Sequence, residues 1–261
     1  MRERRVESPS LTRALAVGRG DLVSLVGGGG KTTLMYRLVA ELRAGGLCAA
    51  AATTTKIQVP DPGAARLVCA ARYEAAAEAL SAPGDRRTPV LGREVLGGGK
   101  VDGVPPEWCD RLVGEGRVDA LVVEADGAGR RPVKAPEAWE PVVPAGTTVF
   151  VAVVGLSALG RAVDGDRVFR PERVREVTGL GPGAPLDPEA LARLLASPGG
   201  LAKGCPDGAR AVAFLNQADL PGAEDGARRV ARLLLDRESL FERVVVGSLE
   251  GAAPIREVCL R

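Results

Sequence analysis

The apolar stretch Leu22-Val23-Ser24-Leu25-Val26 runs without interruption into Gly27-Gly28-Gly29-Gly30-Lys31-Thr32-Thr33. No other feature constrains the fold as strongly. A strand that ends in glycines lets successive backbone N–H groups converge on an anion, and a helix beginning at the next residue adds its positive end. A lysine at that point reaches the outer phosphates of a nucleotide, and a threonine hydroxyl can hold Mg²⁺. Leu34, Leu38, Val39 and Leu42 recur at helical spacing and predict that helix over 31–44. The expected ligand is therefore Mg²⁺ with ATP or GTP, held by Gly27, Gly28, Gly29, Gly30, Lys31, Thr32 and Thr33. The bland alternative is a glycine-rich turn.

The loop is short. The position six before Lys31 is Leu25 rather than glycine, so G-x-x-x-x-G-K-[ST] is incomplete. Its first glycine stands four residues before the lysine, a spacing similar to the compact G-x-x-G-K-[ST] loop of the Mur ligases.

Composition narrows the function classes. With 261 residues, 46% of them hydrophobic, the chain can bury a sizeable core. Lys and Arg number 35 against 33 Asp and Glu, and aromatics make up 3%, which gives no electrostatic or stacking basis for nucleic-acid binding. No apolar run approaches a membrane span, and Met1 to Glu7 is not followed by a signal-peptide core, so the expected location is the cytoplasm. Cys48, Cys69, Cys109, Cys205 and Cys259 are widely spaced and histidine is absent, which argues against a zinc site or a disulfide framework. Cys48 and Cys69 read as small buried hydrophobes, and Cys109 and Cys205 stay open as redox or selenium-handling groups. Without histidine, acid–base chemistry falls to carboxylates, lysine, tyrosine or water.

Strands are predicted at 22–26, 47–53, 66–69, 119–125, 148–155, 210–215 and 243–248. Helices are predicted at 11–17, 31–44, 72–81, 106–114, 171–177, 187–196 and 223–237. This alternation implies an α/β fold, a mostly parallel sheet with helices on both faces, similar to P-loop NTPases. We expect a single domain over 1–261, with long loops around 83–106 and 130–146 and a small lobe at 156–205. Asp187-Pro188 reads as the cap and first turn of a helix.

Further chemistry collects at predicted strand ends. The strand 119–125 carries Glu124 and runs into Asp126; at alternating positions both face one side as candidate Mg²⁺ ligands or water-orienting groups. Thr53-Thr54-Thr55-Lys56 ends the second strand. Asn216-Gln217-Ala218-Asp219 follows a hydrophobic strand in the manner of the N-[KQ]-x-D element that reads guanine, with an Asx-type turn as the rival reading. Only five of the 35 basic residues are lysine, and Lys31, Lys56, Lys100 and Lys134 all stand at glycine runs, strand ends or proline-marked loops.

Together these segments resemble one family. The glycine loop, Thr53 to Lys56, Gly99-Lys100-Val101-Asp102-Gly103-Val104, Glu124-Ala125-Asp126-Gly127-Ala128 with Pro132-Val133-Lys134-Ala135-Pro136, Glu140-Pro141-Val142-Val143-Pro144 and Leu215 to Asp219 stand in the order of the YqeC family. The resemblance spans roughly residues 10 to 250. It implies an accessory role in maturing a selenium-containing molybdenum cofactor, with a molybdenum hydroxylase maturation partner. Two positions depart from that pattern: Trp139 and Phe169 stand where histidine is expected.

The expected mechanism is Mg²⁺-dependent nucleotide hydrolysis or phosphoryl transfer. Lys31 and the glycine amides would hold phosphates, Thr32 with Glu124 and Asp126 the metal, and Lys56 and Lys134 developing charge or a second anion. Asn216 and Asp219 would take the base. The alternatives are a non-enzymatic module that binds and delivers a nucleotide or an anionic pterin-type cofactor, and a small-molecule kinase or ligase.

Overall fold

A computed structural model describes residues 9–81, 87–236 and 239–261. The Met1–Glu7 segment, the expected loop at 83–86 and the expected helix end at 237 lie outside them. In chain order the elements are α1 (Leu11–Leu15), β1 (Leu22–Gly27), α2 (Lys31–Ala44), β2 (Ala49–Thr53), β3 (Ile57–Gln58), β4 (Ala65–Cys69), α3 (Tyr73–Ser81), β5 (Thr88–Gly92), β6 (Val95–Leu96), β7 (Lys100–Val101) and α4 (Pro106–Gly114). There follow β8 (Ala120–Glu124), β9 (Val133–Lys134), β10 (Val149–Gly155), β11 (Val168–Phe169), α5 (Pro171–Thr178), α6 (Pro188–Ala196), β12 (Arg210–Asn216), α7 (Ala223–Leu235), β13 (Phe241–Gly247) and β14 (Ile255–Leu260).

Nine strands form one sheet in the order β14-β13-β12-β10-β1-β8-β2-β5-β4. Every pairing is parallel except that of β14 with β13. The strands are apolar because both faces are covered, and their residues sort by parity. In β10, Val149, Val151 and Val153 pack toward α1 and α2, while Phe150, Ala152 and Val154 pack toward α5, α6 and α7. In β8, Ala120 and Val122 share the α2 side, and Leu121 and Val123 meet α3 and α4. Glu124 continues the 120–122 parity and so faces α2. From β1 the chain passes to β2 on one side, and β10 lies on the other. Such a switch point opens a crevice at the carboxyl ends of the strands, and in this protein it lies at the glycine loop.

Helix α6 follows its sequence signal, since the Asp187 carboxylate accepts from the Ala190 amide at 2.6 Å and Pro188 opens the first turn. Helices α5 and α6 share one apolar cluster with β10, β12 and α7. Two sheet strands went unpredicted. β5 contains Pro89, tolerated because β2 pairs only with Val90 and Leu91 while β4 pairs along the whole strand. β14 has the mixed pattern Ile-Arg-Glu-Val-Cys-Leu of a half-covered edge. Two small sheets, β6-β7-β3 and β9-β11, stand apart from the main one.

The cysteines need correction. Cys48 and Cys69 are exposed, because one precedes β2 and the other ends the edge strand β4, whereas Cys109 is the buried one. Burial pushes the Cys109 thiol well above its ordinary range, so it stays protonated and inert.

Candidate functional site

The four glycines between β1 and α2 are required by space as well as by backbone angle. Gly27, Gly29 and Gly30 have φ of 95°, 74° and 130°. A Cβ on Gly27 would enter the Val153 carbonyl oxygen, and one on Gly28 would lie 2.6 Å from the Arg131 carbonyl oxygen. At Gly30 it would strike the Asn216 side-chain amide. Three of the loop amides hold the loop itself. Gly27 donates to both carboxylate oxygens of Asp126 at 3.1 and 3.0 Å, Gly28 to the Val153 carbonyl at 2.8 Å, and Gly29 to the Arg131 carbonyl at 3.0 Å. The anion-facing end thus shifts to the first turn of α2, which has no side-chain cap.

Behind the loop runs a buried chain of charges. Thr32 donates its hydroxyl to Glu124 Oε2 at 2.7 Å. Lys31 Nζ lies 3.7 Å from Glu124 Oε1 and 3.2 Å from Asp126 Oδ1, and donates to the Gly27 carbonyl at 2.5 Å. Asp126 Oδ2 meets Lys134 Nζ at 3.1 Å, and Lys134 donates to Glu140 Oε2 at 2.7 Å and to the Gly127 carbonyl at 2.7 Å. Arg170 completes the series, donating to Glu140 Oε2 at 2.5 Å with its Nε 3.4 Å from Glu137 Oε1. Three carboxylates, Glu124, Asp126 and Glu140, alternate with three cations.

Burial decides what each member can do. Glu124 is pushed above its ordinary value by desolvation, which the Lys31 charge and the Thr32 hydrogen bond only partly offset. A carboxylate in that position gains from an arriving cation. Desolvation also opposes the charge on Lys31, but Asp126 and Glu124 outweigh it and hold the ammonium above its ordinary value. Glu140 is likewise desolvated, yet Arg170 and Lys134 hold it below the usual range. Asp126 is 1% exposed with both oxygens engaged, so it positions Gly27 and two lysines rather than offering a free metal-ligand face. Lys134, 0% exposed, stands behind Asp126 and not on the cavity wall.

In front of the loop lies a cavity of about 1030 Å³ whose lining includes Gly29 to Thr33, Lys56, Glu124, Asn216 and Asp219. Asn216 is a strut: its amide donates to the Gly29 carbonyl at 2.7 Å and its oxygen accepts from the Leu249 amide at 3.0 Å. Asp219 is exposed, and a hydrogen bond from Ser248 holds its carboxyl below the ordinary value. Lys56 is exposed on the cavity wall. Among the described residues, four other than glycine have positive φ, Ala16, Arg130, Arg170 and Gln217, and the last three all line this cavity. Left-handed backbone at residues other than glycine thus gathers at this cavity.

Glu140, Arg130, Arg167 and Arg170 were not singled out as site residues from sequence. Glu140-Pro141 stood in a motif, but its role depends on contacts with Lys134 and Arg170 that local pattern does not encode. No group of three or more Asp, Glu, His or Cys suited to a metal occurs among the described residues. Mg²⁺ nevertheless fits the oxygen pair of Thr32 and Glu124, because that ion retains waters and takes few protein ligands. No described helix is long and apolar enough to cross a membrane.

A parallel α/β sheet with a glycine loop at its switch point defines the structural class. Residues 23–172 match the family model described as YqeC protein. The chain is also 33% identical over 199 residues to "Uncharacterized protein YqeC" of Escherichia coli (strain K12), covering 76% of this chain and 77% of that one. The chain belongs to the YqeC family.

Proposed function

We propose that this protein binds a nucleoside triphosphate with Mg²⁺ at the glycine loop and uses it in hydrolysis or phosphoryl transfer. The observation that carries the reading is the Thr32 hydroxyl hydrogen-bonded to Glu124 at the open first turn of α2, inside the glycine-lined cavity. Thr32 and Glu124 would hold the metal, which when bound supplies charge neutralisation on the phosphate oxygens. Lys31 swings from the Gly27 carbonyl onto a phosphate, and the α2 amides orient the same group. Asp126, fixed by Lys134, keeps Gly27 and Lys31 in register. Asp219 would accept from a base, while Asn216 supports the loop.

A binding-and-delivery module is the second reading, and one observation favours it. Asp126 is saturated and Glu124 is tied to Thr32 and Lys31, so neither carboxylate is a free general base. The resemblance drawn from the sequence motifs attaches either activity to maturation of a selenium-containing molybdenum cofactor. Equal selenium content in a hydroxylase matured with and without this chain would remove that attachment.

Calorimetric titration of ATP, GTP and CTP with Mg²⁺, alongside phosphate release, tests the core of the reading. Wild type should bind one nucleotide, and Lys31→Ala should weaken it by at least about tenfold, or ~1.4 kcal/mol. Absence of binding by wild type would sink it. Binding without turnover would leave the delivery module.

A further inference from the structure

The cavity is electrically lopsided. Lys56, Lys100, Arg130 and Arg167 all line it, and none has an ion-pair or hydrogen-bond partner among the described residues. Glu124, Glu140, Asp219 and Glu250 line the cavity as well, the first two already paired with Lys31, Lys134 and Arg170, and Asp219 bonded to Ser248.

The two small sheets assemble this basic wall. Pairing of Gln58 with Lys100 in β3–β7 joins the segment that carries Lys56 to the one that carries Lys100. Pairing of Val133 with Val168 in β9–β11 joins the segments of Arg130 and Arg167, and Arg131 Nε donates to the Gly165 carbonyl at 2.6 Å across the same junction. Arg130 accepts a φ of 61° in its place there. Four cations on one cavity, none of them paired with a carboxylate among the described residues, raise one another's energy unless an anion joins them. A nucleotide's phosphates already have Lys31, the α2 amides and a metal site, so the wall is surplus to them.

We propose that the wall of Lys56, Lys100, Arg130 and Arg167 binds a second ligand, a small molecule bearing a phosphate monoester, beside the nucleotide. This rests on the nucleotide reading above. Two arginine forks and two ammoniums match the dense, multiply charged oxygens of such a group. The walled cavity and the acidic residues that share its lining disfavour a long polyanion.

The test uses the full chain with inorganic phosphate as probe, followed by ³¹P line broadening, after the glycine loop has been saturated with a non-hydrolysable nucleotide and Mg²⁺. Wild type should bind phosphate in addition to the nucleotide. The double variant Lys100→Gln with Arg167→Gln should weaken phosphate at least tenfold and leave nucleotide affinity within twofold, since both side chains are exposed. Lys31→Ala should do the reverse. Phosphate binding unaffected by the double variant, or lost with Lys31→Ala, would overturn the proposal while the nucleotide reading stands. Absence of nucleotide binding by wild type would instead strike that reading. Tight binding of a single-stranded oligonucleotide that depends on Lys100 and Arg167 would overturn the small-molecule class.

Discussion

Lys31 and Lys134 in the buried charge chain and Lys56 and Lys100 on the cavity wall are chemically identical side chains in opposite circumstances. The first two are buried and flanked by carboxylates; the second two are exposed on the cavity wall with no ion-pair or hydrogen-bond partner for the ammonium among the described residues. The contrast separates cations that build the site, Lys31 among them before it turns to a phosphate, from cations that are left open to a ligand. Even Lys203 belongs to the building set, donating to the Glu137 and Ala138 carbonyls at 2.5 and 2.9 Å and bracing the segment before Glu140.

That division can be broken most severely at Lys134. Lys134→Met leaves Asp126 and Glu140 buried with less compensation, and urea unfolding should show a loss of about 3–5 kcal/mol. Glu140→Gln is the next test. It removes charge-assisted bonds from Lys134 and Arg170 and should cost about 1.5–3 kcal/mol near neutral pH. Because folding lowers the Glu140 pKa, its stabilisation is complete above the unfolded value of 4.5 and disappears as pH falls through the folded value. The gap between wild type and Glu140→Gln should therefore close on acidification, and a gap that persists at low pH would refute the assignment. Asp187→Ala, far from both sets, should lose about 1 kcal/mol through its helix cap, a benchmark for an ordinary local effect. Lys56→Gln should stay within about 0.5 kcal/mol of wild type in thermal unfolding. A larger loss there would move Lys56 into the building set.

The parts legible in sequence were those with local periodicity. The strand, glycine loop and α2 follow from consecutive residues, and Glu124 faces α2 because parity along β8 is a local property. Lys134 was misleading for the opposite reason. Between Pro132 and Pro136 it reads as a stiff loop lysine, and only contacts with Asp126 and Glu140 take it inside. The apparent pairing of Glu124 with Asp126 as metal ligands also dissolves in three dimensions, since Asp126 lies past the strand end and turns to the Gly27 amide. The basic wall was invisible because two-residue strands with no sequence signature assemble it.

The alternation of charges from Lys31 to Arg170 has a consequence for how such a protein can vary. Each interior member answers to two neighbours, so a substitution at one link must be met at the next if the interior is to stay neutral. Those positions are therefore expected to change as a block or not at all, whereas the exposed basic wall can drift one residue at a time.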